Sequence, residues 1–249
     1  FWSSGVLKEA IVVGAMGFVV ATVIQCIRLA KVGVFAVLKM VALLLCIYIF
    51  KYYVAALLGA CLLAFAFYAF LALKVQRRWV RAGLLICLIT IALGLFSQIH
   101  PNLYSTRILD VIVKNYEAYE TVSNPDNLIT YQNLQASWQS FLLNSPKALF
   151  SGLFAPLSVK KDVFWVGSAL ENWGLLLLTI SAFWLLIQQK LKVQPVAYFA
   201  LIYVAVMATL LAFSAPNVGT LVRYKVSFLP VMLLLIASVL DPLKAKYFR

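Results

Sequence analysis

Apolar runs of near-constant length recur along this chain, separated by short basic connections and interrupted once by a long mixed segment. They cover roughly residues 10–28, 32–50, 54–73, 82–99, 172–189, 196–213 and 223–240. Each approaches the ~20 apolar residues with which a helix crosses a hydrocarbon core of about 30 Å. The pattern is least clear at Lys51, Tyr52 and Tyr53, where neither Gly nor Pro marks a turn. Residues 38–73 as one helix would extend about 54 Å at ~1.5 Å per residue, too far for one crossing.

Charge decides that junction. Arg28, Lys31 and Lys39 cluster at one end of the pair of runs, and Lys74, Arg77, Arg78 and Arg81 at the other. Cytoplasmic connections carry the excess of Lys and Arg, so both clusters belong inside and two crossings separate them. The same orientation puts Lys190, Lys192, Lys244, Lys246 and Arg249 in the cytoplasm. Residues 1–9, 51–53, 100–171 and 214–222 then fall outside. The predicted fold is an all-α polytopic membrane helix bundle of about seven spans. It divides into a four-span region over 1–99, an extracytoplasmic helical segment over 100–171 and a three-span region over 172–249.

The outer segment has a periodicity of its own. Ile108, Leu109, Ile112, Val113 and Tyr116 recur at helical spacing within 103–120, and Leu128, Tyr131, Leu134, Trp138 and Leu142 within 127–143. Ser145 followed by Pro146 reads as a cap and first turn, so a further short helix is predicted over 146–154, apolar enough to lie in the membrane interface. Together these predict a small helical cap resting on the membrane.

Composition agrees with a membrane chain: 64% of the residues are hydrophobic and 12% charged, with a mean hydropathy of +0.97. A soluble domain could not cover its core with so little polar surface. The net charge of +13 does not point to nucleic acid, because the basic residues sit in short clusters between apolar runs and no polar domain presents a binding face. Cys26, Cys46, Cys61 and Cys87 lie inside apolar runs without a CxxC pair, and read as packing residues. The chain begins at Phe1 without a basic leader or a cleavage site, and upstream sequence is expected.

The stretch NVGTLVRYK, residues 217–225, raises the question of chemistry. Gly219 permits a tight turn and Thr220 suits a helix cap, which would set Arg223 and Lys225 in the first turn of the last span. Two cations there oppose the helix macrodipole, an arrangement that becomes sensible if a phosphate sits above the turn. The alternative is that both side chains snorkel to lipid headgroups. Pro230 further along frees a carbonyl and bends the helix.

Other ionisable groups fall at the same outer level: Lys8 and Glu9 at the first span, Lys51 in the first outer turn, His100 after the fourth span and Glu171 before the fifth. Charges near the membrane that topology does not need are candidates for a site. Taken singly, Lys8 with Glu9, or Glu171 with a nearby cation, are also what interfacial ion pairs look like. His100, ahead of Pro101, reads as a loop residue. No metal-ligand spacing, phosphate loop or nucleophile elbow occurs, and neither metal nor cofactor is expected.

The segments FWSSGVLKE, FKYYVAAL, SPKALFSGLFAPLS, SALENWG and NVGTLVRYK together resemble bacterial polytopic membrane proteins of surface-polysaccharide assembly, similar in layout to GT-C-type glycosyltransferases and O-antigen polymerases. The resemblance runs over most of the chain. It departs at Tyr52, where a proline is typical, and at Ala155, where an arginine is. It implies a bacterial inner-membrane glycosyltransferase or glycan polymerase whose donor is a sugar on a polyprenyl phosphate at the outer leaflet. Arg223 and Lys225, helped by Lys51 and Lys8, would hold the phosphate; Glu9 or Glu171 would accept the proton of the attacking hydroxyl; Trp138, Tyr131 and Trp165 would offer aromatic surface to sugars. Membrane lipid and the polyprenyl-linked glycan are the implied partners. Two other classes stay open. A transporter of lipid-linked glycan would use the same cations but needs a polar path, for which Gln25, Lys39, Thr90 and Thr179 are sparse. A non-catalytic scaffold would dock partner membrane subunits on small-residue faces such as Gly14 with Gly17, or Ala55, Ala56, Gly59 and Ala60.

Overall fold

The structure, a computed structural model, describes residues 2–29, 31–72, 75, 77–158, 163–188 and 195–240. Lys74, Lys190, Lys192, Lys244, Lys246 and Arg249, and the side chains of Arg28 and Arg78, lie outside the described residues. Among those described the chain is all-α. The helices are α1 (Trp2–Leu29), α2 (Val34–Phe50), α3 (Tyr52–Ala72), α4 (Arg78–Phe96), α5 (Ile108–Val122), α6 (Trp138–Phe154), α7 (Val163–Gln188), α8 (Pro195–Ser214), α9 (Val218–Tyr224) and α10 (Leu229–Leu240). Short 3-10 turns form at Pro101–Leu103, Pro125–Asn127 and Lys225–Ser227.

Among the described residues five helices are long and apolar enough to cross a membrane: Lys8–Ile27, Tyr52–Leu71, Trp79–Phe96, Trp165–Gln188 and Pro195–Ser214. A sixth crossing is counted if α9 and α10, bent by 65° at their break, act as one span. The remaining expected run, α2, has 17 residues, about 26 Å at ~1.5 Å per residue. Phe35, Ile49 and Trp79 are almost fully exposed on these helices, as lipid-facing side chains are. This is an integral membrane helix protein.

The helices group into two compact units. One takes the described residues within Phe1–Tyr104 and Val193–Tyr203, the other those within Ser105–Lys192 and Val204–Leu243.

In the first unit α1 packs on α2, α2 on α3 and α3 on α4. The break expected at residues 51–53 is confined to Lys51, which alone leaves the helical region at φ −146°, ψ 79°. Its N–H donates to Ile47 O at 2.7 Å and its carbonyl accepts from Val54 N–H at 3.0 Å, so one residue bonds to the end of α2 and to the start of α3. The α3–α4 seam is built from small residues. Ala60, Ala64 and Ala92 are buried with Tyr68 and Phe199, and a Cβ added at Gly59 would lie 2.8 Å from Phe96 Cζ. Small side chains let backbones approach where no hydrophobic driving force separates helix from lipid.

The second unit fastens the long mixed segment to helix ends. Ile129 N–H donates to Pro216 O at 2.8 Å, within a single antiparallel bridge of Leu128 with Asn217. The Tyr131 ring sits 5.6 Å from that of Tyr116 and 4.9 Å from that of Phe213, and Phe141 packs on Phe213 at 4.8 Å. Of the helix expected over 127–143 only 138–143 forms: ahead of it the backbone N–H of Ile129 pairs outside the segment, and Asn133 takes φ 44°. Helix α6 starts instead at Trp138, where Ser137 accepts from Ser140 N–H, and it runs through Pro146. Ser145, expected to cap a helix, is mid-helix and donates to Phe141 O. One face of α6 carries Phe141, Asn144, Ala148 and Gly152 inward, while Trp138, Leu142 and Phe150 are exposed.

Candidate functional site

The stretch 217–225 folds differently from the simplest expectation. Asn217, not Thr220, is the N-cap: its Oδ1 accepts from Thr220 N–H at 3.3 Å, and its backbone carbonyl accepts from Leu221 N–H at 2.8 Å. Asn at the cap satisfies an otherwise orphan amide, so the helix begins at Val218. Arg223 consequently lies in the last turn of α9 and Lys225 opens the 3-10 turn beyond it. Cations near a helix C-terminus are favourable, so the apparent conflict with the macrodipole disappears. The bend follows at once, with Pro230 in the first turn of α10. In an unbroken helix that position would have to donate to Val226 O, which proline cannot do.

Lys225 is 4% exposed. Its Nζ donates to Leu153 O at 2.9 Å and to Asn172 Oδ1. Asn172 is itself oriented by donating from Nδ2 to Ser168 O at 2.7 Å, so α6, α7 and the α9–α10 break meet at one amine. Both partners are neutral. Glu171, exposed on α7, is near enough to act electrostatically on Lys225. Glu171 was expected at the start of a span, but α7 begins at Val163, so it sits inside the helix. No proline interrupts 163–171, and the helix runs through Gly167 from Val163.

Arg223 is exposed, and its guanidinium lies over the Tyr224 ring at 5.5 Å. Tyr119 of α5 joins this group. Burial first, and then the neighbouring Tyr224, push its hydroxyl above the ordinary tyrosine value, while Thr220 and Arg223 act the other way. Arg223, Tyr224, Thr220 and Tyr119 thus form an accessible cluster with one strong cation and three hydroxyls, suited to an oxyanion.

In the first unit Lys51 Nζ lies 3.8 Å from Glu9 Oε1, with both side chains mostly buried. Lys8, the adjacent residue on α1, is exposed. His100 stacks on Tyr52 at 3.8 Å with the rings 8° apart, its Nδ1 accepts from Asn102 N–H at 3.2 Å, and Asn102 Nδ2 donates to the Tyr52 hydroxyl at 3.3 Å. His100 is thereby a loop-ordering residue. The structure brings Glu9 to Lys51, and Lys225 to the neighbour of Glu171; the two groups belong to different units.

Of the aromatics expected to face sugars, Tyr131 is buried and its hydroxyl is pushed upward by burial. Trp165 donates to Ser158 O. Trp138 remains 62% exposed. Asn172, Asn217 and Tyr119 were not anticipated. Asn172 and Asn217 lie within the two short segments already singled out, but nothing in the spacing linked Tyr119 to either. Among the described residues no three His, Cys, Asp or Glu side chains come together to hold a metal. The four cysteines are free thiols. Comparison with family models, with curated proteins and with solved structures returned no match.

Proposed function

We propose that the chain is a membrane glycosyltransferase or glycan polymerase acting on a polyprenyl-phosphate-linked sugar at the outer leaflet of the bacterial inner membrane. The observation that carries this is the break in the last apolar segment, with a buried lysine at the break and an accessible arginine two residues before it. Ionisable groups in apolar segments are costly to keep, and non-helical backbone there is tolerated only where protein or a cavity surrounds it. A phosphate charged lipid head gives both cations a purpose that topology does not.

In the proposed reaction the acceptor hydroxyl oxygen bonds to the anomeric carbon, and the bond from that carbon to the phosphate oxygen breaks with its electron pair staying on the phosphate. Arg223 binds the phosphate directly and stabilises the charge that grows on it. Lys225, held by Leu153 O and Asn172, fixes the break that presents Arg223. Glu171, exposed on α7 in the same unit as Arg223, takes the hydroxyl proton. Seven crossings accompany this reaction, with α2 as the second and α9–α10 as the last, and with the segment between α4 and α7 as an external cap. The apolar exposed stripe of α6 suits a helix lying in the interface.

Replacing Arg223 by Ala should abolish polysaccharide production in cells while the protein stays in the membrane; production at the wild-type level would overturn the phosphate role. The same break also favours a second reading, a lipid-linked glycan transporter, because discontinuous helices line transporter sites. In liposomes, a transferase lengthens the glycan, whereas a transporter moves the lipid to the other leaflet unchanged.

A further inference from the structure

The segment before α6 turns back on the first two turns of that helix and borders an open cleft of about 290 Å³, lined by Gln132, Asn133, Gln135, Ser137, Gln139, Ser140, Leu143 and Asn144. Its floor is fixed by hydrogen bonds. Asn144 Oδ1 accepts from Gln132 N–H at 3.1 Å, and Asn144 Nδ2 donates to Gln132 O and to Ser140 O at 3.0 Å each. Ser140 Oγ accepts from Gln135 N–H at 3.1 Å and donates to Asn133 O at 3.0 Å. The left-handed Asn133, at φ 44°, makes the sharp turn that this network holds.

The walls are different. The side-chain amides of Gln132, Asn133, Gln135 and Gln139 make no hydrogen bond with the described residues, and all four side chains are exposed. Each amide offers two donors and a carbonyl acceptor. Neighbouring hydroxyls on a ring present donors and acceptors at similar spacing, so a cleft with a hydrogen-bonded floor and an edge of unpaired amides matches a polyol. No charged side chain lines the cleft, and the Ser140 N–H at the start of α6 is already taken by Ser137 Oγ, so nothing selects an ion. The volume lies at the bottom of the range for small-molecule pockets, about 300–1,000 Å³, which suits a sugar ring rather than a long chain. The apolar stripe of Trp138, Leu142 and Phe150 runs alongside Gln139 and Leu143 on α6, so lipid and cleft border each other on one helix.

We propose that this cleft is a binding subsite for an uncharged saccharide unit. Assigning that unit to the lipid-linked glycan rests on the function proposed above; the preference for a neutral sugar rests on the lining alone. The test is saturation-transfer difference NMR on the full chain in nanodiscs, with the methyl glycosides of glucose, galactose and N-acetylglucosamine, and with glucuronic acid. At least one neutral glycoside should bind, and the double variant Gln132→Ala with Gln139→Ala should weaken that binding by about tenfold. Both side chains are exposed and make no hydrogen bond with the described residues, and alanine keeps the backbone bonds of Gln132, so circular dichroism of the variant should match wild type. Absence of transfer from every neutral glycoside, binding unchanged in the double variant, or glucuronic acid bound more tightly than glucose would each overturn the proposal. No lipid donor is present in this experiment, so a negative result with Arg223-dependent polysaccharide production intact removes the subsite and leaves the proposed function standing.

Discussion

Gly152→Ala probes the packing that supports the buried lysine. Gly152 lies on the inward face of α6, and a Cβ built there would be 2.7 Å from the Ala208 carbonyl carbon and 3.2 Å from Ala208 Cα. The neighbour is helix backbone, which has no rotamer to move aside. Restoring an ordinary 3.4 Å contact at the carbonyl carbon alone requires α6 and α8 to part by at least about 0.7 Å. Overpacking of this kind costs about 1–3 kcal/mol, against which alanine returns about 0.5–1 kcal/mol of helix preference. At Gly174 on α7 nothing lies within 4 Å of the added Cβ, so only the favourable part remains. The two substitutions should therefore differ in sign. Thermal unfolding followed by circular dichroism in one detergent should give Gly152→Ala a lower melting temperature by roughly 2–8 °C, and Gly174→Ala an equal or higher one. Because Leu153 O receives the Lys225 amine, Gly152→Ala should also reduce polysaccharide production while Gly174→Ala does not. A Gly152→Ala protein as stable as wild type would show that α6 and α8 do not meet at this point.

Three further outcomes follow from the same contacts. Asn172→Leu removes a neutral partner of Lys225 and should cost about 1.5–3 kcal/mol; combined with Lys225→Met, the loss should fall short of the sum by about 1 kcal/mol or more in a double-mutant cycle of unfolding, and simple additivity would dismiss the bond. Asn217→Ala deletes both the α9 cap and the Nδ2 bond to Ser123 Oγ at 3.0 Å, so it should lower stability by about 1 kcal/mol and speed proteolysis between residues 123 and 137; an unchanged cleavage rate would refute the tether. In a protein whose native cysteines are changed to alanine, a membrane-impermeant maleimide added to intact cells should modify Asn124→Cys and leave Lys31→Cys untouched. The reverse labelling would overturn the orientation drawn from the basic clusters.

Much of this protein was determined by local sequence. Apolar runs of span length commit the backbone to helices in a medium that offers no other hydrogen-bond partner, and the five clear spans appear where the runs lie. The segments 168–174 and 217–225 were also legible as places where polar groups interrupt that pattern. Tertiary structure decided the rest. Residues 127–137 have helical periodicity, yet Ile129 pairs with Pro216 and Tyr131 inserts between Tyr116 and Phe213, because burying aromatic surface against distant neighbours outweighs a weak local helix preference. Asn217 displaced Thr220 as the cap, which moved Arg223 and Lys225 from the start of a helix to its end. The partners of Lys225 come from residues 153 and 172, and those of Arg223 include Tyr119. Contacts of that separation leave no periodic trace along a single chain, because they depend on which helix faces meet, and only the packing of the second unit sets that.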